Sequence, residues 1–163
     1  MAKRLRFENG AFNPIDAKIL AALAGDARVS NASLARSVGL SPPSVAERIK
    51  RLEENGVIGS YTIAIDPKAL GLPIAAWLRV RPVPGQLNKV ADILRRLPEI
   101  VECDRVTGED CFIARADLPS VAALEKLIDQ LIPFAMTNTS IVQSSPVPRR
   151  LPPLPNGSKR QAR

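Results

Sequence analysis

Between Ser30 and Gly56 the chain reads S-N-A-S-L-A-R-S-V-G-L-S-P-P-S-V-A-E-R-I-K-R-L-E-E-N-G. Few arrangements accept that string. Ser30 suits the cap of a helix, and Leu34, Ala35 and Val38 follow it at helical spacing. Gly39 fits the left-handed position that closes a helix. Ser41 caps a second helix with Pro42 at its first position, where the missing N–H has no partner to lose. Val45, Ile49 and Leu52 form the buried stripe of that helix, and Asn55-Gly56 stops it. Two short amphipathic helices about a glycine turn, the second bearing basic side chains outward, form the layout of a helix-turn-helix. The second helix of such a motif enters a DNA major groove.

The flanks complete a small domain. An arm, residues 1–12, carries Lys3, Arg4 and Arg6 and is expected to be frayed. Asn13-Pro14 opens a first helix, with Ile15, Ile19, Leu20 and Leu23 inward and Gly25-Asp26 as its stop. After Val57 the β-formers Ile58, Tyr61, Ile63 and Ile65 suggest a strand or wing, so residues 13–65 read as a winged helix-turn-helix domain. Residues 66–73, from Asp66-Pro67 to Leu72-Pro73, read as a linker.

Residues 74–144 follow a different grammar. Strands are expected at Ile74–Arg81, Ile100–Val106, Cys111–Ala116 and Thr137–Val142, with helices at Gln86–Leu97 and Val121–Ile132. The order β-α-β-β-α-β is the ferredoxin-like motif, in which helices cover one sheet face and leave the other for water or a partner. The fold class is therefore α+β, an α/β sandwich behind the helix-turn-helix. Residues 145–163 are Pro-rich and basic, and are expected to stay extended or disordered.

Charge sharpens this division. Of a net charge of +7, residues 1–60 hold +3, residues 61–144 hold −1 and residues 145–163 hold +5. Basic ends around a near-neutral middle favour a polyanionic partner. Two cysteines, Cys103 and Cys111, make neither a disulfide framework nor a zinc site, and read as buried, reduced thiols. There is no histidine, no Ser/His/Asp set and no glycine-rich phosphate loop, so an enzyme is not expected, nor a cofactor. No apolar run reaches the ~18–20 residues that span a bilayer, and no apolar signal core follows the basic N-terminus. The expected location is the cytoplasm of a prokaryote, on the nucleoid.

A resemblance runs from Pro14 to Val142. Its residues include Ile15-Asp16 with Ile19-Leu20-Leu23, Arg28-Val29-Ser30, Leu34-Ala35 and Val38-Gly39-Leu40-Ser41. They continue through Val45, Arg48-Ile49, Arg51-Leu52-Glu53, Gly56-Val57-Ile58 and Tyr61 to Val106-Thr107-Gly108-Glu109-Asp110-Cys111-Phe112. The chain resembles the Lrp/AsnC family, the leucine-responsive, feast/famine transcription regulators. The resemblance implies a winged DNA-binding domain and a C-terminal α/β sandwich, the RAM domain. It also implies dimers through paired sheets, association into octamers or other multiples of dimers, and an amino-acid effector bound between subunits. Relatives often carry an acid two positions after the first acid of the turn, followed by an aromatic. Here Cys111 stands at that position, before Phe112, with acids at Glu109 and Asp110.

Candidate contacts follow. Ser41, Ser44, Glu47, Arg48 and Arg51 lie off the buried stripe of the second motif helix. Ser41 and the helix N-terminus suit a phosphate, and Ser44 a base edge. Arg48 is the expected base reader, since a guanidinium bonds guanine bidentately for ~1–3 kcal/mol of discrimination. Lys50 or Arg51 should face phosphate, and Arg36 is either a phosphate contact or ordinary surface charge. The same residues also fit a solvated helix face paired at helical spacing. Gly108, Glu109 and Asp110 are the expected effector turn, with Thr137, Asn138 and Thr139 on the last strand as further candidates; turn chemistry alone also explains the first three. Alternation sends one of Trp77 and Leu78 to the covered face and the other to the open face, in an order the sequence leaves undecided.

The expected function is a sequence-specific DNA-binding transcription regulator that acts as a homo-oligomer on double-stranded DNA. The alternatives are an architectural DNA-binding protein of low specificity and an enzyme like the siroheme decarboxylases of similar architecture. The missing imidazoles argue against the latter.

Overall fold

A computed structural model describes residues 12–154; Lys3, Arg4, Arg6, Lys159, Arg160 and Arg163 lie outside them. The chain divides into two compact units. One runs to Ile63 and takes in the segment that begins at Arg149, and the other spans Ala64–Pro148.

In the first unit three helices form: α1 (Pro14–Gly25), α2 (Asn31–Val38) and α3 (Pro42–Glu54). Each begins where local chemistry dictates. Asn13 Oδ1 accepts from the N–H groups of Ile15 and Asp16, both at 3.0 Å. Asp16 Oδ2 accepts from the Asn13 N–H at 3.2 Å, completing a reciprocal cap. Ser30 and Ser41 cap α2 and α3 one way only, accepting from the Ser33 and Ser44 N–H groups. Gly39 closes α2 at φ +70°, where a Cβ is strained. The core is Ile19, Leu34, Ala35, Val45 and Leu52, with Ile15, Leu23 and Ile49 around it.

The stretch 57–65 forms no strand. The N–H groups of Val57 and Ile58 both turn back to the Leu52 carbonyl, ending α3, and the chain then runs irregularly. Tyr61, Ile63 and Ile65 are exposed. A strand exists only where a neighbour completes its ladder, and this stretch has none among the described residues.

The second unit holds β1 (Ile74–Pro82), α4 (Leu87–Arg96), β2 (Ile100–Arg105), β3 (Phe112–Leu118), α5 (Val121–Leu131) and β4 (Ala135–Ile141). A short 3-10 turn, Pro67–Leu70, precedes β1. The sheet order is β2-β3-β1-β4, antiparallel throughout, as the ferredoxin-like reading requires. Leu78, Val80, Ala114 and Ala116 face α4 and α5 and are fully buried with Val90 and Leu131. Each such leucine or valine contributes ~1.5–3 kcal/mol over its exposed state.

Register resolves the Trp77 question. Leu78 is buried at 0% exposure, so Trp77 lies on the open face, 39% exposed, beside Arg115 on β3 and Ser140 on β4. The cysteines differ from expectation: Cys103 is exposed and Cys111 half-buried. Cys103 sits on β2, at the edge of the sheet. The tail differs too. Its described part has no helix or strand, yet the segment from Arg149 groups with the first unit instead of standing alone.

Candidate nucleic-acid interface and effector turn

The N-terminal half of α3 presents Ser41, Ser44 and Glu47 to solvent, while Val45 is fully buried. The helix meets solvent at a proline-started first turn whose free N–H groups and dipole favour an anion. Ser41 Oγ and Ser44 Oγ share a hydrogen bond at 2.8 Å, which holds both hydroxyls at that end. Farther along, Lys50 is exposed and pairs loosely with Glu54 at 3.8 Å. Arg36, on α2, is exposed and donates to Ser33 Oγ at 3.2 Å.

Arg48 and Arg51 both reach the carboxylate of Asp16. Arg48 Nη1 donates to Asp16 Oδ1 at 2.9 Å, and Arg51 Nη2 lies 3.3 Å from Asp16 Oδ2. Asp16 is 1% exposed, whereas the two guanidinium side chains are 24% and 41% exposed. Asp16 therefore serves three donors at once: the Asn13 N–H and both arginines. Sequence reasoning placed Arg48 and Arg51 on the DNA and gave Asp16 no role. The signal within reach was an acid three residues after a helix cap, but its second use needs the packing of α1 against α3.

In the second unit, Gly108, Glu109 and Asp110 form the turn between β2 and β3, with Gly108 at φ +114°. Arg81 of β1, unassigned from sequence, closes onto it: Arg81 Nη2 lies 2.6 Å from Glu109 Oε2 and 3.5 Å from Asp110 Oδ1. Two residues back on the same face, Arg79 donates to Asn138 Oδ1 at 2.8 Å. The turn and Asn138 thus meet neighbouring arginines on the open face. Thr137 and Thr139 do not join them. They pair with Val80 and Leu78, so alternation turns them to the helix-covered side.

A cavity of about 370 Å³ lies apart from this turn, between α4 and β2, with Leu94, Phe112 and Cys103 in its wall. Burial raises the Cys103 thiol pKa, the Asp104 charge raises it further, and Arg95 opposes both. Among the described residues no group of three or more His, Cys, Asp or Glu side chains is placed to hold a metal ion.

Comparison with known proteins decides the family. Residues 12–58 match the description "Winged helix-turn-helix DNA-binding", and residues 75–152 match "Lrp/AsnC ligand binding domain". The HTH-type transcriptional regulator LrpC of Bacillus subtilis is 35% identical over 130 residues, covering 80% of this chain and 90% of that protein. The chain belongs to the Lrp/AsnC family. The solved structure of B. subtilis LrpC aligns with a TM-score of 0.80 at 33% identity, over 83% of this chain and 97% of that one. The feast or famine regulatory protein of M. tuberculosis, solved with L-methionine, aligns at 0.77 and 29% identity, over 84% and 95%. As an Lrp/AsnC protein the chain is a DNA-binding transcription regulator with a ligand-binding domain, and its α+β architecture is that of its relatives.

Proposed function

We propose that this Lrp/AsnC protein reads DNA with the N-terminal half of α3, as a homo-oligomer whose affinity for DNA shifts when an amino acid binds the second unit. The observation that carries the reading is the exposed N-terminal half of α3. Ser41, Ser44 and Glu47 are exposed there and commit no hydrogen bond outside their own helix end. Ser41 and the backbone N–H groups suit phosphate; Ser44 and Glu47 suit base edges, with Glu47 accepting from a cytosine amine. Arg36 and Lys50 would meet flanking phosphates.

The open sheet face supports the oligomer. It exposes Trp77, and Met136 at 67%. It also carries Arg115, whose Nε lies 3.6 Å from Asp117 Oδ1 within one copy. A second copy laid over that face would cover the aromatic and the methionine. Two recognition helices would then read half-sites spaced by about 10–10.5 bp or a multiple of it.

For the effector, the relative's complex with L-methionine supports an amino acid. Glu109 and Asp110 suit its ammonium group, and Arg79 or Arg81 its carboxylate. Relatives named as regulators, together with a chain lacking histidine, support a role without catalysis. No described helix is long and apolar enough to cross a membrane, and a DNA ligand supports a cytoplasmic site of action.

The deciding experiment measures the protein's binding to genomic fragments at fixed salt, with and without an amino-acid panel. A specific-to-non-specific ratio of ~10³ or more that responds to one amino acid is expected. Equal affinity for every fragment would favour the architectural reading instead.

A further inference from the structure

We propose that the Pro-rich segment Arg149–Leu154 is a polyproline-type ligand for a groove on this chain's own DNA-binding unit. The groove holds about 550 Å³ and is walled by Leu20, Leu23, Val57, Ile58 and Tyr61 on one side and by Arg149–Pro152 on the other. Its floor continues the core of the unit, because Leu20, Leu23, Val57 and Ile58 already pack against that core.

The chemistry of the two walls matches. The tail reads S-S-P-V-P-R-R-L-P-P-L-P from Ser144 to Pro155. Proline holds φ near −65°, so such a segment is extended before it binds and loses little entropy on docking. Its described part forms no helix or strand, as an extended ligand requires. Grooves that take such ligands are lined by aromatic rings. Tyr61 supplies the ring, and its hydroxyl donates to Glu53 Oε1 of α3 at 2.8 Å, which fixes the ring's orientation. Leu151, which lines the groove, is 45% exposed, against 61% for Val147 before it.

Chain connectivity favours the chain's own tail over another occupant. The segment directly follows the second unit, yet it groups with the first. Only residues 142–148 separate the end of β4 from Arg149. Docking over such a tether is intramolecular and does not depend on protein concentration. The DNA-binding unit is then joined to the effector unit twice, through the linker before β1 and through this strap. Arg149 and Arg150 are carried on the DNA-binding unit as a result. The proposal does not rest on the identity of any effector or operator.

Hydrogen exchange on the full chain tests it. In Leu151→Asp, amides of residues 20–27 and 57–62 should exchange severalfold faster, while those of β1 and β3 stay unchanged. Val147→Asp, a tail change outside the groove, should leave all of them unchanged. Tyr61→Ala should release residues 149–154 without altering β1 or β3. Unchanged exchange in both Leu151→Asp and Tyr61→Ala would overturn the proposal. So would recovery of protection when those two variants are mixed, because that result means the tail crosses to a second copy.

Discussion

Arg48 and Asp16, 32 positions apart, meet through a 2.9 Å hydrogen bond between Nη1 and Oδ1, and the acid is buried while the base stays partly open. With Arg51 on the same carboxylate, two cations of the recognition helix are held by the first helix. Removing the acid leaves two guanidinium groups that water partly reaches, and removing Arg48 leaves the acid with Arg51 and the Asn13 N–H. Neither change strands a fully isolated charge. The cost therefore falls below the ~3–5 kcal/mol typical of breaking a buried pair.

Asp16→Asn is the sharper test. It should lower stability by about 1–3 kcal/mol, or several degrees of Tm, measured by thermal unfolding. It should also free two arginines for phosphate, steepening the salt dependence of non-specific DNA binding, since each new contact adds about 0.9 to the slope. An unchanged slope with lowered stability would mean that the arginines stay off the DNA even when released.

Arg48→Ala should lower stability by about 1 kcal/mol or more while leaving the salt slope of DNA binding unchanged. Ser44→Ala and Glu47→Ala should do the reverse, holding Tm and weakening binding to the preferred site by about 1–3 kcal/mol each. Anisotropy titrations on matched specific and random duplexes separate the two patterns. If Arg48→Ala instead relaxes sequence preference with Tm intact, the base-reading role expected from the sequence returns.

These contrasts mark what was legible in the chain. Caps at Asn13, Ser30 and Ser41 and the stop at Gly39 are local chemistry, and each formed where its residue type demanded. The β-α-β-β-α-β order was legible because period and turn residues alternate cleanly. Alternation also separates Asn138 from Thr137 and Thr139, so the three candidates do not share one face of the sheet. Trp77 against Leu78 was open because the choice of face belongs to register and helix docking. Asp16 was hidden for a different reason. An acid at a cap is ordinarily solvated, and only the approach of α3 buries it and brings two arginines to it. The 57–65 stretch has strand-forming residues without a strand, since propensity supplies no ladder partner.

Arg81→Ala should leave the fold within about 1 kcal/mol of wild type, because its partners are largely exposed and exposed pairs contribute little. It should nevertheless loosen the Gly108–Asp110 turn and weaken amino-acid binding at least tenfold, which corresponds to about 1.4 kcal/mol. Calorimetric titration with the panel's best amino acid reads this. Thr137→Ala and Thr139→Ala, on the other side of the sheet, should leave that affinity alone; a loss there would move the effector to the helix-covered face.

Trp77 is the single tryptophan, so its emission reports on the open sheet face alone. Dilution of the wild-type protein should shift that emission to the red as the proposed interface parts and water reaches the ring. Trp77→Glu should favour the monomer in sedimentation while circular dichroism stays native, because the side chain is outside the packed core. Emission independent of concentration, with Trp77→Glu still fully associated, would place the contact between copies elsewhere.

Tyr61 is likewise the single tyrosine, which makes its ionisation directly visible as tyrosinate absorbance. Partial burial pushes its pKa up from the usual 10.0 to about 12, and hydrogen bonding to the Glu53 carboxylate and that group's negative charge push the same way. The folded protein therefore holds this proton more tightly than the unfolded chain does. Below pH 10 both states are protonated and the stabilisation is fully present. Between pH 10 and about 12 the unfolded state alone loses its proton, so stability falls across that window. Titration of the native protein should show one transition near 12, returning to near 10 in denaturant. Tyr61→Phe should remove the alkaline decline in stability contributed by this group. Glu53→Gln should bring the native transition part of the way down. A native transition already at 10 would show that the hydroxyl does not rest on Glu53, and that the ring above the tail groove is free to turn.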